Sequence, residues 1–477
     1  MRILFISTLW GDVYGNYKSA AKVGNAYPPL GLCYLSAVLE NKGHLTKIID
    51  MEMESKNIND VFEEIENYKP DAIGITVTTP IFHIVANVAE SIKAKYPQMT
   101  IFVGGPHCSA TLDESLKRSA YIDYAIYGEG ERTIIEFINT LMGKKRPGEV
   151  AGLIFRDRKK NVIVNKPAKL IEDLDSLPFP AREKLDMEKY TWGVPGKGIV
   201  KFTTIMTSRG CPFNCIFCSA HTIFGKRVRC RDIGLVLDEI EMLYNKHDIK
   251  HFAFIDDTLT LDHERIKKMC DGIKKRRLDI TWEGWTRANT VNHEILKSMK
   301  EAGFTRISFG IESANKEISR LIRKQVPLES YAKAYSICKD LGIERRASII
   351  LGNPGETRET AMETLRFAKG LKDCDQIYIN IATPYPSTEL YDMAKKGMHG
   401  LRLLSDDYSD YKRYGNSVLE VNDLKAEDLV KLQKKGFRMF YFTPSRVIYN
   451  IKRAGLRAFF KNAMAFFKSV ILSGKTR

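Results

Sequence analysis

Three cysteines fall close together in Cys211-Pro-Phe-Asn-Cys215-Ile-Phe-Cys218, spaced three and then two residues apart. Gly210 and Pro212 force a loop at this point, so the thiols can be turned toward one centre. Thiolates are soft ligands that suit zinc or an iron–sulfur cluster. A four-iron cube ordinarily takes four cysteines, and no fourth lies nearby. Three would leave one iron open to a small molecule, which makes such a centre catalytic rather than merely redox-active. Spacing alone leaves two other readings open: a structural zinc loop with a distant fourth ligand, or a set of buried thiols.

The elements that must position this loop are legible as a rhythm. From residue 1 to 142, apolar runs at Ile3–Ser7, Thr46–Asp50, Ala72–Thr76, Thr100–Gly104 and Tyr124–Gly128 alternate with helical periodicity at Leu30–Lys42, Asn59–Tyr68, His83–Tyr96 and Glu131–Met142. Strands alternating with helices predict a Rossmann-like, doubly wound parallel sheet. Such sheets bind ligands at the carboxyl ends of their strands. Those ends carry Thr76 and Thr78, Gly104 and Gly105, and Gly128 and Glu129. Residues 143–195 read as a proline-fixed linker with a small hairpin, Gly152–Phe155 and Asn161–Asn165. Over 196–395 the strand-then-helix unit returns six times, at Thr203–Thr207, His251–Ile255, Thr281–Thr286, Arg306–Gly310, Ala347–Leu351 and Gln376–Ile381. Six units fit a partial (β/α)6 barrel with function at the strand carboxyl ends. The cysteine loop follows the first strand. Asp256 and Asp257 follow the second, Arg287 the third, Glu312 the fourth, and Asn353 to Glu356 the fifth.

The cysteine spacing, with Phe217 just before the last thiol, resembles the signature of the radical S-adenosylmethionine (SAM) superfamily. Val103 to His107, Gly128 to Glu131 and Tyr27 to Leu32 resemble the cobalamin-binding domain that precedes the barrel in one branch of it. The resemblance covers about residues 1 to 395. It implies a [4Fe–4S] cluster on Cys211, Cys215 and Cys218, with SAM on the open iron and the backbone at Phe217 near its adenine. Ser308 to Ser313 and Ile350 to Glu356 resemble elements at the ribose and adenine sides, placing Glu312, Gly352 and Pro354 there, while Arg287 suits the SAM carboxylate. It also implies cobalamin over Thr76, Thr78, Gly104, Gly105, Gly128 and Glu129, and an external electron donor such as a flavodoxin or ferredoxin. The element that supplies a histidine to cobalt in the classical cobalamin enzymes is absent, so His44, His83 and His107 are expected to be loop or packing residues. The implied activity is radical modification of an unactivated carbon, by methyl transfer or, in other branches, by cyclisation. A domain that holds no cobalamin, an iron–sulfur electron carrier and a cobalamin sensor are the alternatives.

Nine scattered cysteines give no disulfide framework and point to a reducing cytoplasm. The chain opens on a strand without a leader pattern, and no apolar run reaches the roughly 18 residues of a spanning helix. The net charge of +16 looks like a nucleic-acid signal until it is located. Residues 431–477 hold twelve Lys or Arg and no acid, which leaves 62 basic against 58 acidic residues elsewhere, or +4. Within 396–477, a helical region, Lys425–Tyr441 is periodic, and a second helix starts at Thr443-Pro444. On its wheel Leu456, Phe459, Phe460, Phe466 and Phe467 share one arc, with Arg453, Arg457, Lys461 and Lys468 beside or opposite it. This pattern over 444–472 fits a helix lying in a membrane interface and a lipid or other hydrophobic substrate; packing on the barrel or a dimer contact is the alternative. Nucleic acid is not expected, because the phenylalanines segregate from the basic residues.

Overall fold

The computed structural model describes residues 1–11, 13–14, 27–371, 373–443 and 446–447. Two seven-stranded sheets carry the architecture. The first is formed by β1 (Arg2–Ser7), β2 (Leu45–Asp50), β3 (Ala72–Thr76), β4 (Thr100–Gly104), β5 (Tyr124–Ile126), β6 (Leu153–Arg156) and β7 (Val162–Val164), in the order β2-β1-β3-β4-β5-β6-β7. β1 to β5 are parallel. Strands covered on both faces must be apolar at nearly every position, and each side of the pleat has its own core. Ile3 and Phe5 pack with Leu32, Leu39, Ile134 and Phe137 from the helices Leu30–Glu40 and Gly130–Leu141. Leu4 and Ile6 point the other way, to Val61, Ile65, Val85 and Ile92 of the helices Ile58–Tyr68 and Phe82–Lys95. The chain leaves β1 toward β2 and returns to β3 on its other side, which puts the topological switch point between β1 and β3.

The second sheet contains β8 (Thr191–Val194) and β9 (Gly198–Ile205), followed after a short ribbon of β10 (Ser208–Arg209) and β11 (Arg229–Cys230) by β12 (His251–Phe254), β13 (Thr281–Thr286), β14 (Phe304–Glu312), β15 (Glu344–Leu351) and β16 (Gln376–Ile381). Its order is β16-β15-β14-β13-β12-β9-β8. Six of these strands run parallel and curl into the expected half-barrel. Side-chain caps start the helices between them: Asp232 accepts from the Gly234 and Leu235 amides, Asn292 from Ile295, and Thr357 from Thr360.

The stretch 143–195 behaves differently from a free linker. β6 adds antiparallel to β5 and β7 to β6, extending the first sheet, while β8 adds antiparallel to β9 at the edge of the second. Sheet edges expose unpaired amides and carbonyls, and these short strands cover one edge on each sheet.

Beyond the barrel, the helix Ala426–Tyr441 packs on β16: Gln433 Nε2 donates to Ile379 O at 2.8 Å, and the Ile377 amide donates to the Tyr441 hydroxyl at 3.0 Å. The segment before it reaches back to the first sheet. Tyr408 donates to Glu114 at 2.7 Å, Arg118 donates to the Asp406 carbonyl at 3.2 Å and stands 4.5 Å from the Tyr408 ring centroid, and the Tyr408 ring meets His107 edge-on. The predicted interfacial helix over 444–472 lies outside the described residues except for Arg446 and Val447; the Arg446 guanidinium donates to the Leu371 and Cys374 carbonyls. Among the described residues, no helix is long and apolar enough to cross a membrane.

Candidate active site

The cysteine loop is built from its entry. Gly210 has φ +96°, and a Cβ there would sit 2.4 Å from the Arg227 carbonyl oxygen, so only glycine lets the β10–β11 ribbon close behind Cys211. Asp256, expected as a candidate ligand contact, is buried and accepts from the amide and hydroxyl of Thr207 and from the Ser208 hydroxyl. Its work is to hold the descent from β9 into the loop. Asp257 stays exposed nearby. His221 Nε2 lies 2.9 Å from the Cys211 carbonyl, bracing the far side.

Around the thiols the structure gathers several predicted residues and two that the sequence did not flag. Arg287 reaches Cys215 Sγ at 3.8 Å, donates to the Lys324 carbonyl, and lies 3.8 Å over the Phe213 ring. Lys324 Nζ is 3.5 Å from Glu312 Oε1. Glu312 has φ +65° and follows a register shift between β14 and β15, a bulge that re-aims its side chain toward the loop side of the sheet. A Cβ on Gly310 would fall 2.1 Å from Glu312 Oε1, so the carboxyl occupies space that glycine leaves. Burial holds the Glu312 carboxyl above its ordinary value against the pull of Lys324, and burial likewise raises the Cys215 thiol against Lys324 and Arg287. Phe213 and Lys324 were missed: one lies inside the loop, the other in a turn 12 residues past Glu312.

Two buried polar atoms here have no protein partner, Glu312 Oε2 and Arg287 Nε. An acceptor and a donor left open beside three thiols match the ammonium, hydroxyls and carboxylate of SAM. Among the described residues no group of three His, Cys, Asp or Glu side chains converges tightly enough for a single ion; in a cube each cysteine binds a different iron, so such convergence is not required. Phe217 is half-buried against the main core. Gly352 and Pro354 form a turn whose amides at 352 and 353 donate to Glu356 Oε2. A Cβ on Gly352 would lie 3.1 Å from Leu429 and 3.3 Å from Leu419, so the close approach at this glycine is to the carboxyl-terminal segment.

On the first sheet, Thr76, Thr78, Gly104, Gly105 and Gly128 form a row of half-exposed to exposed positions at the strand ends, beside the switch point. Gly105 has φ +116°, and a Cβ would meet the Val77 carbonyl at 2.9 Å. Nothing lies within 4 Å of a Cβ built on Gly128, which leaves open space along the crest. This cradle of small residues fits a large flat cofactor. His44 takes the amino terminus at 3.2 Å at the other end of the strands, and His107 is buried against Phe82 and Thr79, as expected of packing histidines.

Glu129 stands apart from that row. Its carboxylate accepts from Arg209 Nη1 at 3.0 Å, Arg229 Nη1 at 2.9 Å and the Ile171 amide at 2.6 Å, and Arg209 Nη2 also donates to Glu131 at 2.5 Å. Burial works against the charge, but Arg229, Ile171 and Arg209 together hold Glu129 below its usual range. Its carboxylate ties the strand end of β5 to Arg209, two residues before Cys211. The strand end of the first sheet and the entry to the cysteine loop are thereby held together.

The chain is thus a doubly wound domain tied to a half-barrel whose first strand runs into a three-cysteine loop. The Radical SAM superfamily model matches residues 205–368 and the B12 binding domain model residues 19–138. An uncharacterised methyltransferase of Pyrococcus horikoshii is 36% identical over 91% of this chain and 92% of its own. The anaerobic magnesium-protoporphyrin IX monomethyl ester cyclase of Rubrivivax gelatinosus is 27% identical over 100% of this chain and 83% of its own. Among solved structures, the radical SAM methyltransferase TsrM from Kitasatospora setae superposes with a TM-score of 0.70 at 15% identity, over 99% of this chain and 100% of that one. The chain belongs to the radical SAM enzymes that carry a cobalamin-binding domain, and its cofactors are a [4Fe–4S] cluster, SAM and cobalamin.

Proposed function

We propose that this enzyme transfers a methyl group to an unactivated carbon of a hydrophobic small molecule such as a polyisoprenoid or hopanoid. The observation that carries the reading is the likeness over 91% of this chain to the Pyrococcus methyltransferase, and the Glu129–Arg209 lock, which holds the crest of the first sheet against the cysteine loop, suits it. When bound, the reduced cluster supplies the electron that cleaves SAM, and cobalamin supplies a transferable methyl group. In this reading Cys211, Cys215 and Cys218 hold the cluster. Glu312 Oε2 accepts from the ammonium or ribose of SAM, Arg287 Nε donates to its carboxylate, and the turn at Gly352 and Pro354 with the backbone at Phe217 borders the adenine. Thr76, Thr78, Gly104, Gly105 and Gly128 seat the cobalamin. Lys324 positions Glu312, and Arg287 over Phe213 screens the loop from water.

Anaerobic protein reconstituted with iron, sulfide and hydroxocobalamin should, on reduction, convert SAM to 5′-deoxyadenosine, with S-adenosylhomocysteine appearing alongside; Cys215→Ala should yield no deoxyadenosine. Loaded wild-type enzyme that releases no deoxyadenosine even with a lipid extract present would refute it. A cyclase acting on a tetrapyrrole is the second reading, supported by the full-length likeness to the Rubrivivax cyclase; deoxyadenosine without S-adenosylhomocysteine would favour it. The electron comes from a flavodoxin- or ferredoxin-type donor. We place the enzyme in the cytoplasm, meeting its substrate at the inner face of the membrane through 444–472. Truncation at Thr443 should then abolish sedimentation with anionic liposomes, and a full-length chain that ignores them would sink the membrane part alone.

A further inference from the structure

The inner face of the half-barrel can be read from register. Trp285 pairs with Ser308, Ser308 with Arg346, Gly310 with Ser348, Ser348 with Tyr378 and Ile350 with Asn380. On β14, β15 and β16, Ser308, Gly310, Ser348, Ile350, Tyr378 and Asn380 are half-exposed, while their neighbours Phe309, Ile311, Ile349, Ile377 and Ile379 are buried in the outer core. The lumen is therefore lined by small polar groups and aromatic rings.

Arg413 stands at its last strand. It belongs to the carboxyl-terminal segment, beyond the residues matched by either family model. Its amide donates to the Val13 carbonyl at 2.7 Å, which hangs it from the loop that leaves β1 beside the switch point. Its Nε reaches Asn380 Oδ1 at 3.3 Å, and its guanidinium carbon lies 5.5 Å from the Tyr378 ring and 5.4 Å from the Tyr414 ring. Tyr14 stacks on Tyr414 at 6.2 Å. The rings beside its guanidinium are tyrosines, and among the described residues no Asp or Glu pairs with it. Other guanidiniums at or near the barrel, Arg209, Arg229, Arg231, Arg306 and Arg346, each face a carboxylate. A half-buried guanidinium that no carboxylate pairs among the described residues, with Tyr414 hydrogen-bonded to it, carries a charge that an oxyanion between the crest and the lumen would answer.

We propose that Arg413 binds a carboxylate or phosphate group on the substrate, whose flat or apolar body lies along Tyr378, Tyr414 and the lumen. This deepens the function proposed above and rests on it: the substrate is a hydrophobic molecule with an acidic end. Asn380 holds the guanidinium through Nε, and its terminal nitrogens supply the charge-assisted hydrogen bonds that both oxyanions accept.

Binding to the full-length chain, read by tryptophan quenching without turnover, tests this independently of the deoxyadenosine assay. The probes are 1-pyrenebutyrate against its methyl ester, and farnesyl phosphate against farnesol. Wild type should bind at least one acid about tenfold or more tighter than its neutral counterpart, the size of one or two charge-assisted hydrogen bonds. Which pair shows the preference separates carboxylate from phosphate. Arg413→Gln should erase the acid-to-neutral ratio while still binding the neutral probe, and Arg413→Lys should restore part of it. A simple packing role for Arg413 would weaken acid and neutral probes together. Equal binding of acid and neutral probe by wild type, an unchanged ratio in Arg413→Gln, or no binding of either acid would overturn the proposal.

Discussion

Glu356 offers a stability switch that can be measured without any cofactor. The side chain is fully buried, its Oε2 accepts from the Gly352 and Asn353 amides, and its Oε1 has no partner. Burial outweighs the two amides and pushes its carboxyl from the ordinary 4.5 up to about 8. In the unfolded chain the proton leaves near the ordinary value; in the folded chain it stays until about 8. Because the folded value is raised, the stability this group contributes is complete at acid pH and is lost as pH rises toward 8. At roughly 1.4 kcal/mol for each pH unit of that interval, the loss is bounded at about 5 kcal/mol. Glu356→Gln keeps an acceptor for the amides and cannot ionise, so it should escape the loss. The assay is guanidinium unfolding of apoprotein at pH 5, 6, 7, 8 and 8.5, followed by tryptophan fluorescence, since Trp192, Trp282 and Trp285 all lie in the second sheet. The stability difference, variant minus wild type, should climb by several kcal/mol across the series and then level off. A difference that stays flat from pH 5 to 8.5 would show that Glu356 titrates at an ordinary value, and the reasoning from burial would fail.

Gly210→Ala should lower iron bound per chain after reconstitution severalfold, because strain of about 1–3 kcal/mol and the contact with the Arg227 carbonyl fall on the loop itself; full iron loading would refute it. Glu129→Gln removes a charge that answers two buried guanidiniums and should cost about 3–5 kcal/mol. Since the folded Glu129 value is depressed, the wild-type advantage should be present above the ordinary carboxylate range and fade as pH falls through the folded value; an advantage already lost above the ordinary carboxylate range would contradict this. Gly105→Ala, at a left-handed backbone position against the Val77 carbonyl, should weaken hydroxocobalamin retention on gel filtration with iron loading unchanged, and equal retention would remove Gly105 from the crest.

What the sequence disclosed was whatever local pattern encodes. Strands such as Ile3–Ser7 or Ala72–Thr76 are continuous apolar runs because they are covered on both faces, and Thr281–Thr286 and Gln376–Ile381 fall where the rhythm places them. The cysteine loop is written within eight residues. Partnerships across distance were not legible. Glu129 meets Arg209 from 80 residues away, so a strand-end acid reads as a ligand contact until the fold supplies two guanidiniums. Lys324 and Arg413 lie in turns with no periodicity, and only the bulge in β14 and the curl of the barrel bring them to the site. The hairpin at 153–164 was visible as a hairpin, but nothing local says which sheet edge it will join.

The contacts between the carboxyl-terminal segment and the first sheet also set a schedule. Tyr408 and Asp406 meet Glu114 and Arg118 across 294 and 288 residues. At about 5–20 residues per second of synthesis, the first sheet emerges roughly 15–60 seconds before the segment that will lie against it. During that interval the surface at His107, Glu114 and Arg118 lacks the cover that Tyr408 and Asp406 will give it, so this contact is among the last that the growing chain can close.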